Sequence, residues 1–368
     1  MIEAVGEATT LADRKVRAGQ RMLIGLHGHS VTDDVRRLVA EVRPAGFILF
    51  ARNVAEPAQV LELNRELASL CDPHYPALLT VDQEGGRVQR VREAATRWPT
   101  MRQLGRAPER TAEVSAAMAT ELRAMGFNLN FAPVADVDSN PDNPVIGDRS
   151  FGDDPCQVAA QTAAFIEAHQ AAHIVACAKH FPGHGDTDTD SHLALPTVPR
   201  SEESLRATEL PPFAAAVRAG VGTVMTSHVV FPALDPELPV TLSDVVLPRL
   251  LRDELCFDGL VFSDDMEMKA VAGRWPVQEL ADRATRASVD VLIVSASAPL
   301  QAEWFEALVR AQEHDPGADD ASTRAAARVM ALRERFFTGV PPRPPLSVVG
   351  SPEYKALAQD VTRRGAWS

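Results

Sequence analysis

The chain reads as an α/β protein built as one (β/α)8 barrel of the TIM type. Two observations carry that expectation. Eight short apolar runs recur with longer amphipathic segments between them, and many of the runs end in residues able to do chemistry. Parallel neighbouring strands need a crossover connection, usually a helix, so alternation of this kind implies a parallel sheet. In a barrel the C-terminal ends of all strands open onto one face, where residues distant in sequence meet. A doubly wound open sheet is the competing architecture; it is disfavoured because no Gly-rich dinucleotide turn follows the first run.

The runs are RMLIGL from Arg21, GFILF from Gly46, ALLTVD from Ala77, LNFAPVAD from Leu129, IVACAKH from Ile174, VGTVMTSH from Val221, GLVFSDD from Gly259 and VDVLIVS from Val289. Several are apolar at nearly every position, as strands covered on both faces should be. PAQVLELNRELASL, ERTAEVSAAMATELRAMG, CQVAAQTAAFIEAHQ and EESLRATELPPFAAAVRAG place apolar residues three and four apart, the helical period. The barrel is expected to occupy residues 1–338. Residues 339–368 begin VPPRPPLSVV after Gly339 and read as a Pro-rich linker followed by one short helix.

With 37 Lys plus Arg against 50 Asp plus Glu, the net charge of −13 disfavours nucleic acid and anionic membrane surfaces as partners. No tract is long and apolar enough to span a bilayer, and the N-terminal residues lack the apolar stretch of a secretory signal. A cytoplasmic protein, expected to act as a monomer, is the resulting default. Cys71, Cys156, Cys177 and Cys256 are scattered without C-x-x-C pairing, which argues against a disulfide framework or a zinc ribbon.

The densest chemistry lies in AKHFPGHGDTDTDSHLALP, from Ala178 to Pro196. Asp186, Asp188 and Asp190 imitate the start of a calcium loop. However, the position of the turn glycine holds Ser191 and that of the closing glutamate holds Thr197, so the spacing fails. A transition-metal site built from His180, His184 and His192 lacks the helical spacing of a zincin motif. The bland alternative is a solvated loop whose aspartates cap turns.

The run KHFPGHGDTDTDSHLALP resembles the signature of glycoside hydrolase family 3, of the single-domain β-N-acetylglucosaminidase type. The resemblance extends to GFILFARN, TVDQEGGRVQR, NFAPVADVDSNPDNPVIGDRSFG, MTSHVVFPALD and GLVFSDDMEMKA, in the family's order over about residues 20 to 300. It implies a retaining exo-glycosidase that needs no cofactor and no metal. The substrate would be a small carbohydrate carrying terminal β-linked N-acetylglucosamine, such as a muropeptide from cell-wall recycling. The resemblance makes Asp264 the nucleophile. Its neighbour Asp265 is the rival, since strand alternation sends consecutive side chains to opposite sides. By the same resemblance the proton donor matches His192, held by Asp190, whereas many glucosidases of the family supply a glutamate from a second domain, which this chain is not expected to carry. Histidine titrates near neutrality, so one imidazole can both give and take the proton. Gly183 and Gly185 are expected to make this loop pliant.

Sugar recognition by the same resemblance falls to Asp82, as acceptor for the far hydroxyls, and to Arg90, Arg149, Lys179 and His180 as donors. A salt bridge across the barrel mouth is the structural alternative for the cations. His228 also matches a family position, although a satisfied core histidine fits equally well. Two positions depart from the pattern: Val91 stands where an aromatic residue is common, and Ser295 where relatives place polar amides. A β-glucosidase of the same family and a metal-dependent barrel hydrolase remain the alternative functions.

Overall fold

The computed structural model describes residues 9–187 and 195–366. All eight apolar runs form strands, here β1 (Met22–Gly25), β2 (Gly46–Leu49), β3 (Leu78–Val81), β4 (Leu129–Asn130), β5 (Val175–Phe181), β6 (Thr223–Thr226), β7 (Leu260–Asp265) and β8 (Val291–Val294). They close into a barrel in sequence order, β8 pairing back onto β1, and every barrel pairing is parallel.

The alternation of strand side chains divides the core in two. Leu23, Ile48, Leu78, Leu129, Val175, Cys177, Met225, Leu260, Phe262, Val291 and Ile293 fill the barrel interior as one cluster. Their neighbours, among them Met22, Ile24, Phe47, Leu49, Ala176, Val224, Val261 and Leu292, point outward into the larger cluster under the helices. Phe131 and Phe262 meet edge to face at 5.2 Å inside the barrel. Val329, Leu332, Phe336 and Phe337, from the helix Pro316–Phe337, pack onto the interior cluster and stop the N-terminal mouth. The other mouth is left free for a site.

The segment read as one helix from Glu202 is two, Glu202–Thr208 and Leu210–Arg218, joined at Glu209. Pro211 and Pro212 cannot donate a backbone N–H, which is tolerated in the first turn of a new helix and not in the middle of an old one. Between β3 and β4 a small antiparallel hairpin, Gln83–Gly85 with Val88–Gln89, rises over the C-terminal mouth.

The C-terminal helix Pro352–Ala366 lies along the helix Met101–Gly105, with Gly365 so close that a Cβ there would come within 2.7 Å of Gln103 Cα. Glu121 ties the preceding strap to the hairpin region, accepting from the Gly350 N–H at 2.6 Å, the Thr96 hydroxyl at 2.6 Å and the Trp98 indole at 3.2 Å. No helix among the described residues is long and apolar enough to cross a membrane.

Candidate active site

The C-terminal mouth holds a cavity of about 320 Å³. Asp82, Arg90, Arg149, Lys179, His180, Asp264 and Asp265 all line it, so seven side chains from β3, β5, β7 and two loops meet where the sequence implied. Strand parity explains part of this. Leu260 and Phe262 are interior residues, so two residues further along Asp264 also faces inward; Val175 and Cys177 do the same for Lys179, and Leu78 for Asp82.

Parity fails for Asp265 and His180, and the reason is the same in both cases. Along β7 and β8, Phe262 pairs with Val291 and Asp265 with Ile293, three residues against two. Along β5 and β6, Lys179 pairs with Met225 and Phe181 with Thr226, which leaves His180 over. Each register shift inserts one residue and lets consecutive side chains share a face. The expected division of Asp264 and Asp265 between opposite sides is therefore corrected: both carboxyls reach the cavity.

One wall is a lattice of charges. Lys179 Nζ lies 2.8 Å from Asp82 Oδ1 and 2.7 Å from Glu84 Oε1. Arg149 grips both oxygens of Glu84 at 2.9 Å, and Arg90 reaches Asp82 Oδ2 only at 3.4 Å. Burial alone would raise the Asp82 carboxyl, yet Lys179 and then Arg90 hold it below its usual range. For Glu84, burial is likewise outweighed, here by Arg149 and Lys179. Arg90 Nε has no partner among the described residues, and its guanidinium stands 5.6 Å over the Phe50 ring. Arg90 thus keeps donors for a ligand, while Arg149 is both cavity lining and ion-pair partner.

The opposite side is built around Asp136, which has no exposure. Its Oδ2 lies 2.7 Å from His180 Nδ1, and its Oδ1 accepts from the His180 and His184 backbone N–H groups at 3.0 and 2.8 Å. Asp136 therefore sets both the ring of His180 and the turn after it. Burial and the nearby His180 push His184 down to about 4 despite Asp136, so it lines the cavity as a neutral imidazole.

Asp264 accepts from the Asp265 N–H at 2.8 Å. Burial works against its charge, but His180 and His228 with that N–H keep it below the ordinary carboxylate range. Asp265 is pushed up to about 6, by burial first and then by Glu267 and Asp264, although Ser295 bonds its Oδ2 and the Glu267 N–H its Oδ1. Two adjacent carboxyls in one cavity thus differ in the pH at which they ionise, as their different contacts require. The departure at Ser295 has a visible consequence, since its hydroxyl is the group that binds Asp265.

His228 is wholly buried, with Nδ1 2.8 Å from the Thr241 hydroxyl and Nε2 3.2 Å from the Asp265 carbonyl. Val91 is buried, and its carbonyl accepts from the amides of Gln83 and Gln89.

His192 and Asp190, the proposed proton donor and its carboxylate, lie outside the described residues. Gly183 and Gly185, in contrast, are described, and both sit in close contact with neighbouring segments. A Cβ on Gly183 would collide with the Glu209 carboxyl, and one on Gly185 with the Val137 carbonyl. These glycines permit close packing at the base of the loop. Among the described residues no group of three or more His, Cys, Asp or Glu could hold a metal ion.

The family profile described as "Glycosyl hydrolase family 3 N terminal domain" matches residues 14–332. The chain belongs to glycosyl hydrolase family 3. Among family relatives, a protein of Methylococcus capsulatus named beta-hexosaminidase is 41% identical over 293 residues, spanning 78% of this chain and 86% of its own. A solved family 3 β-N-acetylglucosaminidase from Paenibacillus sp. superposes with a TM-score of 0.89 at 40% identity, covering 97% of this chain and 69% of that one. A structure named NagZ from Neisseria gonorrhoeae, in complex with N-trifluoroacetyl-D-glucosamine, superposes with a TM-score of 0.72 at 28% identity over 94% of this chain and 98% of that one.

For this family 3 glycoside hydrolase, Glu84 and His184 escaped the sequence reading of the pocket, the second considered only as a metal ligand, while Asp136 counted among the run ends able to do chemistry but had no role assigned. A signal existed for Glu84, which stands two residues after Asp82 and so keeps its side of the chain. Asp136 gave less warning, because its work is to bond two backbone amides of a segment more than forty residues away.

Proposed function

We propose that this chain is a retaining exo-β-N-acetylglucosaminidase that removes terminal non-reducing β-linked N-acetylglucosamine, with muropeptides of cell-wall recycling as substrate and the cytoplasm as its place of work. The single observation that carries the reading is the division of the cavity. A hydrogen-bonding wall of Asp82, Arg90, Arg149 and Lys179 faces one pocket together with the ionised carboxylate of Asp264. At about 320 Å³ the cavity sits near the lower end of ligand pockets, a size suited to one terminal sugar.

In the first displacement an Asp264 oxygen attacks the anomeric carbon, the glycosidic bond breaks, and the leaving oxygen takes a proton from His192, whose imidazolium is stabilised by Asp190. In the second, His192 takes a proton from water. The resulting hydroxide displaces the Asp264 carboxylate and restores the free enzyme with the β-configuration retained. The low ionisation range of Asp264 suits a group that must be anionic at neutral pH.

The deciding assay compares 4-nitrophenyl β-N-acetylglucosaminide with the corresponding β-glucoside, with and without chelator. Preference for the N-acetylglucosaminide, unaffected by chelator, is expected. Preference for the glucoside, or activity lost on chelation and restored by metal, sinks the reading.

A further inference from the structure

Glu209 is a buried carboxyl that the reaction described above does not use. It sits at the joint between two helices, under the turn Phe181–Thr187 that leads out of β5. Its Oε1 takes one long bond, 3.3 Å, from the Ser139 hydroxyl, and its Oε2 is buried with no hydrogen-bond partner among the described residues. The carboxyl is pressed against Gly183, where an added Cβ would come within 2.1 Å of Glu209 Oε2.

The turn above it carries much of the site. His180 and the His184 N–H are bonded to Asp136, and Asn143 Nδ2 clamps the carbonyls of His184 and Gly185 at 2.8 and 2.9 Å. On the far side, Arg200 holds Asp186 with a two-pronged ion pair. The turn is therefore pinned from above by Asp136 and Asn143, and Glu209 is the floor on which Gly183 rests.

We propose that Glu209 is a positioning residue for the glycosidase reaction: its carboxyl, wedged beneath Gly183, fixes the height of the turn that places His180 and His184.

The charged groups facing Glu209 among the described residues are Asp136 from the segment after β4, Asp186 from the turn, and Arg200 from the segment before the helix Glu202–Thr208. Burial, then the two aspartates, push its carboxyl up to about 8 against the pull of Ser139 and Arg200. At neutral pH it is a neutral acid. When it ionises, a second buried anion appears beside Asp136 with one weak donor to meet it, and the packing against Gly183 must loosen.

The proposal rests on the glycosidase reading, and its test separates the two. Turnover of the aryl N-acetylglucosaminide is measured against pH for the wild type, Glu209→Gln and Glu209→Ala. The Gln variant imitates the neutral acid: it should keep kcat at neutral pH within about threefold and lose the alkaline fall that ionisation of Glu209 imposes. The Ala variant should lose about tenfold or more in kcat/KM, with kcat falling and KM rising as the turn that carries His180 shifts. An Ala variant with wild-type kcat and pH profile overturns the proposal, as does a Gln variant whose alkaline limb is unmoved or which is as impaired as Ala.

Thermal unfolding supplies a second arm that needs no activity and no Ala variant. A folded-state value above the ordinary 4.5 means that the wild type loses stability relative to Glu209→Gln as pH rises from 4.5 through about 8. A difference in Tm independent of pH overturns the proposal. A wild type inactive on every aryl glycoside would instead sink the glycosidase reading while this arm still reports on Glu209.

Discussion

Arg149 and Glu84 form a two-pronged ion pair, both bonds 2.9 Å long, with Lys179 closing the far side of the same carboxylate at 2.7 Å. Only about one per cent of the Glu84 side chain meets solvent. Two buried cations therefore share one buried anion, and its removal leaves Arg149 without its carboxylate and Lys179 with Asp82 alone. Glu84→Ala should destabilise the protein by about 3–5 kcal/mol, read as a shift of the urea midpoint at unchanged m-value, and should raise KM as Lys179 and Arg149 move. A midpoint within experimental error of the wild type would refute the dependence.

The two carboxyls at the end of β7 should separate cleanly by mutation. Asp264→Asn is expected to lower kcat by about a thousandfold or more, because the amide is a poor nucleophile. Asp265→Asn keeps the bond to Ser295 and should cost about tenfold or less. Single-turnover assays with an aryl N-acetylglucosaminide measure both. The reverse order would transfer the nucleophile to Asp265.

Acid stability should be limited by a histidine remote from the chemistry. His169 is fully buried, stacked on Phe165 at 4.9 Å, and burial drives it down to about 3 despite its bond to the Ser115 carbonyl. The unfolded chain binds a proton near the ordinary 6.5 that the folded chain refuses, so stability is complete above that pH and falls as pH drops toward 3. His169→Gln should remove about one proton from the pH slope of unfolding between those limits. An unchanged slope would show that His169 ionises freely in the folded state.

Residues 339–368 should matter to the pocket as well as to the barrel's stability. Through Gly350 and Glu121 the strap braces Thr96 and Trp98, a few residues beyond Arg90. Deletion of 339–368, or Gly365→Leu at the close contact with Gln103, should lower Tm and raise KM more than it lowers kcat. A truncated protein with wild-type KM would show that the strap is an ornament to the fold.

The barrel was legible because it is written in local terms. Strand and helix periods, the lengths of the runs and the prolines of the linker each depend on a few neighbouring residues, and those periods also carry the inward direction of Asp82, Lys179 and Asp264. What local reading could not reach was set by contacts between distant segments. The register shifts that bring His180 and Asp265 into the cavity arise only when β5 meets β6 and β7 meets β8. That the glycines of the signature loop also make room for Glu209 and Val137 is visible only in the folded chain. Asp136 looks like any strand-end aspartate until it accepts two backbone amides from β5 and the turn beyond. Periodicity along the chain thus determined the fold and the inward direction of Asp82, Lys179 and Asp264, while the motifs that resemble family 3 pointed to the other residues at the mouth. The ionisation and packing of those residues were decided by tertiary structure, because both depend on distances between groups that no sequence interval encodes.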